Sequence, residues 1–366
     1  MNKEVNSKIQ EEEQIRNNDI LFIYDAKMCN PNGDPDDENK PRMDYETGTN
    51  LVTDVRLKRY IRDYLEDKKE NIFVGKVDEK TVDATQRLAF WVGYELKKST
   101  DQKLVKKGEE ILVKVNAGTI KETDFVDNID RENLLKAFID VRLFGATMPI
   151  KGEKKGQSFT FTGPVQFNWG YSLNRVNIVE SSTISSTFAG RTRVGEEEYG
   201  TFGKDYRVYY SLIAFHGIIS GKRAELTKLS TNDVKVLEEA LIKAIPLQAT
   251  RTKIGQYPRL LIRVEYTDSE TFIGDLRRYI KSEPITVPEN KIRDISEIKL
   301  SMDSLIEKLG GYKDRINKIY YWQDKELTPQ FIDLIKAEDL KKKLQPVNTK
   351  EKQKDSELES RTGNRE

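Results

Sequence analysis

The first clear pattern in the chain is ILFIYDA at residues 20–26, apolar at odd and even positions alike. Alternate residues of a strand face opposite ways, so this run predicts a strand buried on both faces. Further on, Leu57, Tyr60, Ile61, Tyr64 and Leu65 recur at i, i+3, i+4, i+7 and i+8, which predicts a helix with one apolar face. Thr53 or Asp54 is placed to cap it, and Arg56, Arg59 and Arg62 lie off the apolar face. Residues 71–156 carry two more helical patterns, DATQRLAFWVGYELKK and RENLLKAFIDVRLFG.

Strand signals then return. In GPVQFNWG, Val165, Phe167 and Trp169 alternate with Gln166 and Asn168, a half-buried strand. RVYYSLIAFHGII at 207–219 is a second. Thr231 or Asn232 is placed to cap a helix whose Val234, Leu237, Leu241, Ala244 and Ile245 share a face and which ends near Pro246. RLLIRVEY at 259–266 reads as the final strand. The order is β-α-β-β-α-β with large insertions: an α+β fold in the ferredoxin-like order of RNA-recognition folds. That order hosts many functions, so function must be sought in particular residues.

The stretch between the first strand and the first helix, NPNGDPDDENKPRMDYETG at residues 30–48, is crowded with turn formers and carboxylates. Asp34, Asp36 and Glu38 have the spacing of the first calcium ligands of an EF-hand. The match fails at Asn39, where Gly belongs, and at Tyr45, where Glu belongs. Gly195 and Gly200 have the spacing of a phosphate loop, but Thr201 stands in place of its Lys. His216 lies inside an apolar strand pattern and reads as structural. Cys29 has no nearby His in sequence and reads as a small core or loop residue.

Composition narrows the partners. Apolar residues make up 37% of 366, enough for a substantial core, and charged residues make up 34%. Lys+Arg is 62 and Asp+Glu is 61, a net charge of +1, so any nucleic-acid contact must use a local basic stripe. One Cys and one His rule out an intrachain disulfide and a zinc site built from them alone. No metal or cofactor is expected. No run approaches roughly 18 apolar residues, and the first residues lack the apolar core of a signal peptide. A cytoplasmic protein without membrane contact is expected. Residues 1–17 and the charged tail from Gln345 are expected to be loosely attached.

Basic groups collect in two places. Arg56, Lys58, Arg59 and Arg62 follow the unusual loop. They suit either a solvated helix face with local pairs such as Arg59 with Asp63, or a phosphate surface aided by amides at the helix start. The second place is ESSTISSTFAGRTRVGEEEYGTFGKDYR at 180–207, longer than a hairpin turn needs. Its Phe188 and Phe202 interleave with Arg191, Arg193, Lys204 and Arg207, a mixture suited to base stacking and phosphate contact. A solvated hairpin insertion has the same composition, and composition leaves the two open.

Three long stretches carry a resemblance. DILFIYDAKMCNPNGDPDDENKPRMDYETGTNLVTDVRLKRYIRDYL, DVRLFGATMP and GTFGKDYRVYYSLIAFHGII closely resemble the CRISPR-associated backbone subunit of subtype I-B Cascade complexes. The resemblance covers residues 18–266 and extends into a helical region after them. It implies an RNA-recognition-like palm at 18–70 and 157–345, helical fingers at 71–156 and a thumb hairpin at about 181–206. Segments 1–17 and 346–366 are left outside as disordered ends. The loop and basic helix then belong to a guide-RNA surface with Asn30, Asn32, Arg42, Arg56, Lys58 and Arg59. The thumb adds Phe188, Arg191, Arg193, Phe202, Lys204 and Arg207.

The implied partners are CRISPR RNA, target DNA through the guide, copies of the chain head to tail, and other Cascade subunits. A head-to-tail contact does not close, so copies can follow a linear template. Phosphate contacts hold any spacer, and base pairing reads the sequence. The family implies no catalysis. Related type III backbone subunits cut RNA with a loop Asp, so Asp34, Asp36 and Asp37 keep a metal-dependent RNA endonuclease as the alternative. A filament protein without nucleic acid is the third reading.

Overall fold

The computed structural model describes residues 14–78, 80–151, 158–180, 182–189 and 200–347. Its centre is a nine-stranded sheet: β1 (Asn18–Cys29), β2 (Met43–Asp44), β3 (Thr49–Val52), β4 (Val165–Phe167), β5 (Gly170–Ser172), β6 (Val208–Ile219), β7 (Gln256–Tyr266), β8 (Ile316–Gln323) and β9 (Leu344–Pro346). The spatial order is β9-β8-β7-β1-β6-β5-β3-β2, with β4 also paired to β6. β1 runs antiparallel to both neighbours, with Phe22 opposite Phe215 and Leu261.

The two-sided apolar run of β1 now has its reason. Ile20, Phe22, Tyr24 and Ala26 enter a core beneath two helices, α1 (Asp54–Asp67) and, later in the chain, the helix of residues 231–247. Leu21 and Ile23 enter a second core on the opposite face, with Leu276, Leu300, Leu305, Leu309 and Phe331. Strand side chains alternate, so both faces of a central strand must be apolar when both are covered. Thr53 caps α1, accepting from the Arg56 amide at 3.2 Å, and the predicted face of Leu57, Tyr60, Ile61, Tyr64 and Leu65 is buried.

Most of the described residues of 71–162 pack around a core of their own, while Ile72, Ile139, Leu143 and Phe144 join the core beneath α1. The region contains α2 (Ala84–Lys97), α3 (Gln102–Asn116), α4 (Arg131–Ala137), α5 (Ile139–Phe144) and a hairpin of Gly145–Lys151 with Ser158–Thr162. Leu88, Ile111, Phe125, Leu134, Phe138, Met148 and Phe161 fill its own core. α2 and α3 meet closely: a side chain at Gly108 would come within 2.7 Å of the Gly93 carbonyl oxygen. Asp140 joins this unit to the sheet layer, accepting from Arg62 Nε at 3.0 Å and the Phe73 amide at 2.7 Å. The remaining long helices are α6 (Gly221–Thr227), α7 (Thr231–Leu247) and α8 (Asp303–Gly311).

Several sequence expectations need correction. RLLIRVEY is not the last strand, and the region after it is not simply helical: β8 and β9 extend the sheet. INKIYYWQ is rich in β-branched and aromatic residues, which favour a pleated surface. RENLLKAFIDVRLFG breaks at Phe138, whose backbone is extended, and α3 was not foreseen. GPVQFNWG is two short strands split at Asn168 and Trp169, and Trp169 is 45% exposed. Ser230, not Thr231 or Asn232, caps α7, because Ser230 and Asp233 bond reciprocally. Asn17 is buried and bonded to Gly221 and Thr271, and Gln345–Pro346 lie in β9, so both are held rather than loose. The segment after β5 forms an antiparallel pair, Thr183–Ala189 with Gly200–Lys204. Among the described residues no helix is long and apolar enough to cross a membrane.

Candidate nucleic-acid interface

The loop of residues 30–48 is a folded knob. Gly33–Asp34 pairs with Lys40–Pro41, and the return is made by Glu38 and Asn39 at φ of 47° and 61°. A Cβ at Gly33 would overlap the Asn39 side chain at 2.0 Å, so this turn needs glycine. Asn30 and Asn32 anchor the knob. Asn30 is buried; its Nδ2 donates to the Asn39 carbonyl at 2.8 Å, and its own amide donates to the Thr252 carbonyl at 2.9 Å. Asn32 Oδ1 accepts from the Thr53 amide at 2.8 Å and the Thr53 hydroxyl at 2.9 Å, tying the knob to the start of α1.

Two of the three aspartates Asp34, Asp36 and Asp37 are already engaged. Asp34 accepts from Arg42 at 3.0 Å and Asp37 from Lys40 at 2.6 Å. Among the described residues no group of three or more His, Cys, Asp or Glu is placed to hold a metal ion. Arg42 also lies 5.9 Å from the ring centre of the exposed Trp169. Burial pushes the Cys29 thiol up to about 12, so it stays protonated at neutral pH. Burial lowers the pKa of His216, leaving its imidazole neutral there too.

The base of the 183–204 hairpin closes onto the same knob. Tyr206 donates to Glu38 at 2.6 Å, and Lys40 lies over the Tyr206 ring at 5.5 Å. Arg207 reaches the Met28 carbonyl at 2.8 Å, the Arg251 carbonyl at 3.2 Å and the Asp205 carboxylate at 2.8 Å. Arg251 reaches the same carboxylate at 2.7 Å. Burial alone raises the Asp205 pKa, but the two guanidiniums outweigh it and hold the carboxyl below the usual range. Three segments distant in sequence therefore meet at the end of β1: the knob with the start of α1, the hairpin base, and the loop before β7.

The predicted residues divide on inspection. Asn30, Asn32, Arg42, Arg56, Lys204 and Arg207 lie on or around this surface; Lys204 is exposed, and Arg207 is spent on Asp205 and two carbonyls. Arg56 rests on the Tyr60 ring at 3.9 Å. Lys58 and Arg59 do not join it. Lys58 pairs with Asp54 at 3.0 Å and turns toward Phe144. Arg59 pairs with Asp63 at 2.6 Å beside a cleft of about 520 Å³ lined by Glu66, Asp67 and Asp78 together with Lys69 and Lys76. Helix periodicity explains the split, since successive residues sit about 100° apart. Arg191 and Arg193 lie outside the described residues. Of Phe188 and Phe202 only the backbone, within the hairpin strands, is described.

Sequence reading missed Trp169, Tyr206, Arg251 and Lys253. The visible signal for the last two was TRTKIG, a basic, glycine-bearing turn immediately before a strand. Met28, 44% exposed at φ 51°, was missed as well; a non-glycine residue with that backbone is uncommon and costs energy.

The sequence matches a known family. Residues 16–303 match the family model described as CRISPR-associated protein Cas7. A CRISPR-associated protein Cas7 of Haloferax volcanii is 31% identical over 329 residues, covering 86% of this chain and 88% of the relative. A chain of a CRISPR RNA-guided surveillance complex in a pre-nicking state aligns over 84% of this chain and 93% of its own length, at 14% identity and a TM-score of 0.47. A chain of a second such complex aligns over 86% and 91%, at 12% identity and a TM-score of 0.43. The assignment rests on the family match and the Haloferax relative: this chain belongs to the Cas7 family of CRISPR-associated proteins.

Proposed function

We propose that the chain is a non-catalytic backbone subunit of the subtype I-B kind, which lines up along the spacer of a CRISPR RNA and presents it for pairing with target DNA. The β1, α1, β4–β5, β6, α7 and β7 elements, in the spatial order β7-β1-β6-β4/β5, serve as a ferredoxin-like palm. Residues 71–156 serve as fingers and residues 181–206 as a thumb. Copies bind head to tail beside other Cascade subunits in the cytoplasm, and each thumb closes over RNA on its neighbour.

The observation that carries this reading is that Arg42, Arg56, Arg207, Arg251 and Lys253, from segments distant in sequence, gather at the end of β1 in a chain whose total charge is balanced. Non-specific backbone contact requires such a local surface. Of the three aspartates on which the RNA-endonuclease alternative rests, Asp34 and Asp37 are held by Arg42 and Lys40, and Asp36 forms no ion pair among the described residues. The test is co-expression with a CRISPR array, followed by sequencing of RNA that co-purifies. Enrichment of spacer-containing RNA supports the proposal; a chain that purifies free of RNA, or with cellular RNA at random, contradicts it.

A further inference from the structure

We propose that Arg56 and Lys253 form one anion seat, which takes a single phosphate group; on the function proposed above, that group is a phosphodiester of the guide. The two side chains come from α1 and from the loop before β7, and a chain of contacts ties those two segments together. Arg56 lies on the Tyr60 ring, the Tyr60 hydroxyl accepts from Gln256 at 3.2 Å, and the same Gln256 amide donates to the Lys253 carbonyl at 2.8 Å. Lys253 Nζ donates to the Asn30 carbonyl at 2.5 Å. That leaves two ammonium protons without a protein acceptor among the described residues. Arg56 Nε is buried and also has none.

What is missing around this pair is negative charge. The ionisable groups facing it are Cys29, Tyr24, Tyr60, Arg207 and, further off, Asp25. Burial raises the pKa of the Cys29 thiol and of the Tyr24 phenol, so both are neutral. Asp25 is taken by Arg259 at 3.0 Å, and the Arg207 charge by Asp205. Neither Arg56 nor Lys253 forms an ion pair among the described residues, in a chain where Arg42, Lys58, Arg59 and Arg62 all do. A partly buried ammonium beside a guanidinium, with no carboxylate, is costly in the free protein. Burial, then Arg56, push the Lys253 pKa down to about 8. A phosphate relieves both costs at once: its oxygens accept from the planar guanidinium and from the ammonium.

A proton-linked signature follows. Near pH 8 the free chain carries Lys253 only partly charged, and a bound phosphate favours the charged form, so binding takes up a proton. Affinity is therefore full below pH 8 and weakens as pH rises through it.

The experiment uses the purified full chain and an oligonucleotide of A and C only, whose bases do not titrate in this range. Between pH 7 and 9 the wild type is expected to lose roughly five- to tenfold in affinity by fluorescence anisotropy. Lys253→Met should bind several-fold more weakly at pH 7, with a flat profile. Lys253→Arg should keep the affinity and flatten the profile, a result a merely structural lysine does not give. As a probe independent of RNA, pyrophosphate at pH 7 should raise the melting temperature of the wild type more than that of Lys253→Met. Equal affinities and parallel pH profiles in wild type and both variants overturn the seat. So does equal stabilisation by pyrophosphate. If pyrophosphate discriminates and RNA does not bind, the seat stands and the guide-RNA reading falls.

Discussion

Asn32 accepts hydrogen bonds from both the amide and the hydroxyl of Thr53, at 2.8 and 2.9 Å. One side chain thus fixes the knob after β1 to the first turn of α1, where Thr53 is itself the cap. Replacing Asn32 with Ala leaves the Thr53 amide without its acceptor. A loss of about 1–2 kcal/mol is expected in chemical denaturation, with α1 intact by circular dichroism. An unchanged midpoint contradicts the anchoring role.

Arg56 and Arg59 test which face of α1 meets RNA. Arg56→Ala is expected to weaken binding across unrelated spacer sequences and to lower the salt slope by about 1. Arg59→Ala is expected to change little, because Arg59 is already paired with Asp63 and points away from the end of β1. Salt titrations of both variants decide the matter; a larger effect at Arg59 contradicts the assignment.

Asp205 holds Arg207 and Arg251 together under the hairpin. Asp205→Asn is expected to cost roughly 1–3 kcal/mol, since Arg251 is largely exposed and screens part of the loss. The sign with pH is fixed by the lowered pKa. The carboxylate's contribution is fully present above its ordinary value near 3.8 and fades as pH falls through the lower folded value. Wild type and variant should therefore converge in stability only once the pH falls below that lowered value. A gap that persists in strong acid contradicts this origin.

The loop acids provide a chemical test. Purified wild type with magnesium is expected to leave complementary RNA intact, and changing Asp34, Asp36 and Asp37 to Asn should alter nothing in that assay. Cleavage by the wild type that disappears in the triple variant would restore the endonuclease reading.

Sequence periodicity showed some elements clearly and others hardly at all. β1, α1 and α7 were legible because each buries a full apolar face whose spacing survives in the sequence. α3 was not, since only Gly108, Ile111 and Val115 are buried in it, and the exposed Leu104 and Val113 among its lysines and glutamates blur the apolar face. β8 carried a local signal in INKIYYWQ that was not read, whereas β9, three residues long, is defined only by its pairing with β8. The site divided in the same way. Resemblance pointed to the knob and to Arg56, whereas Lys253 and Arg251 come from a turn brought to Asn30 and Asp205 only by the sheet. Lys58 and Arg59 sit next to Arg56 in sequence but on other sides of the helix.

The central claim is that copies of this chain line up along a guide. Its most direct test is native mass spectrometry of complexes assembled on CRISPR RNAs that differ only in spacer length. Polymerisation along the spacer predicts that the number of copies rises in regular steps with length. A fixed number of copies at every length, or none, would contradict it.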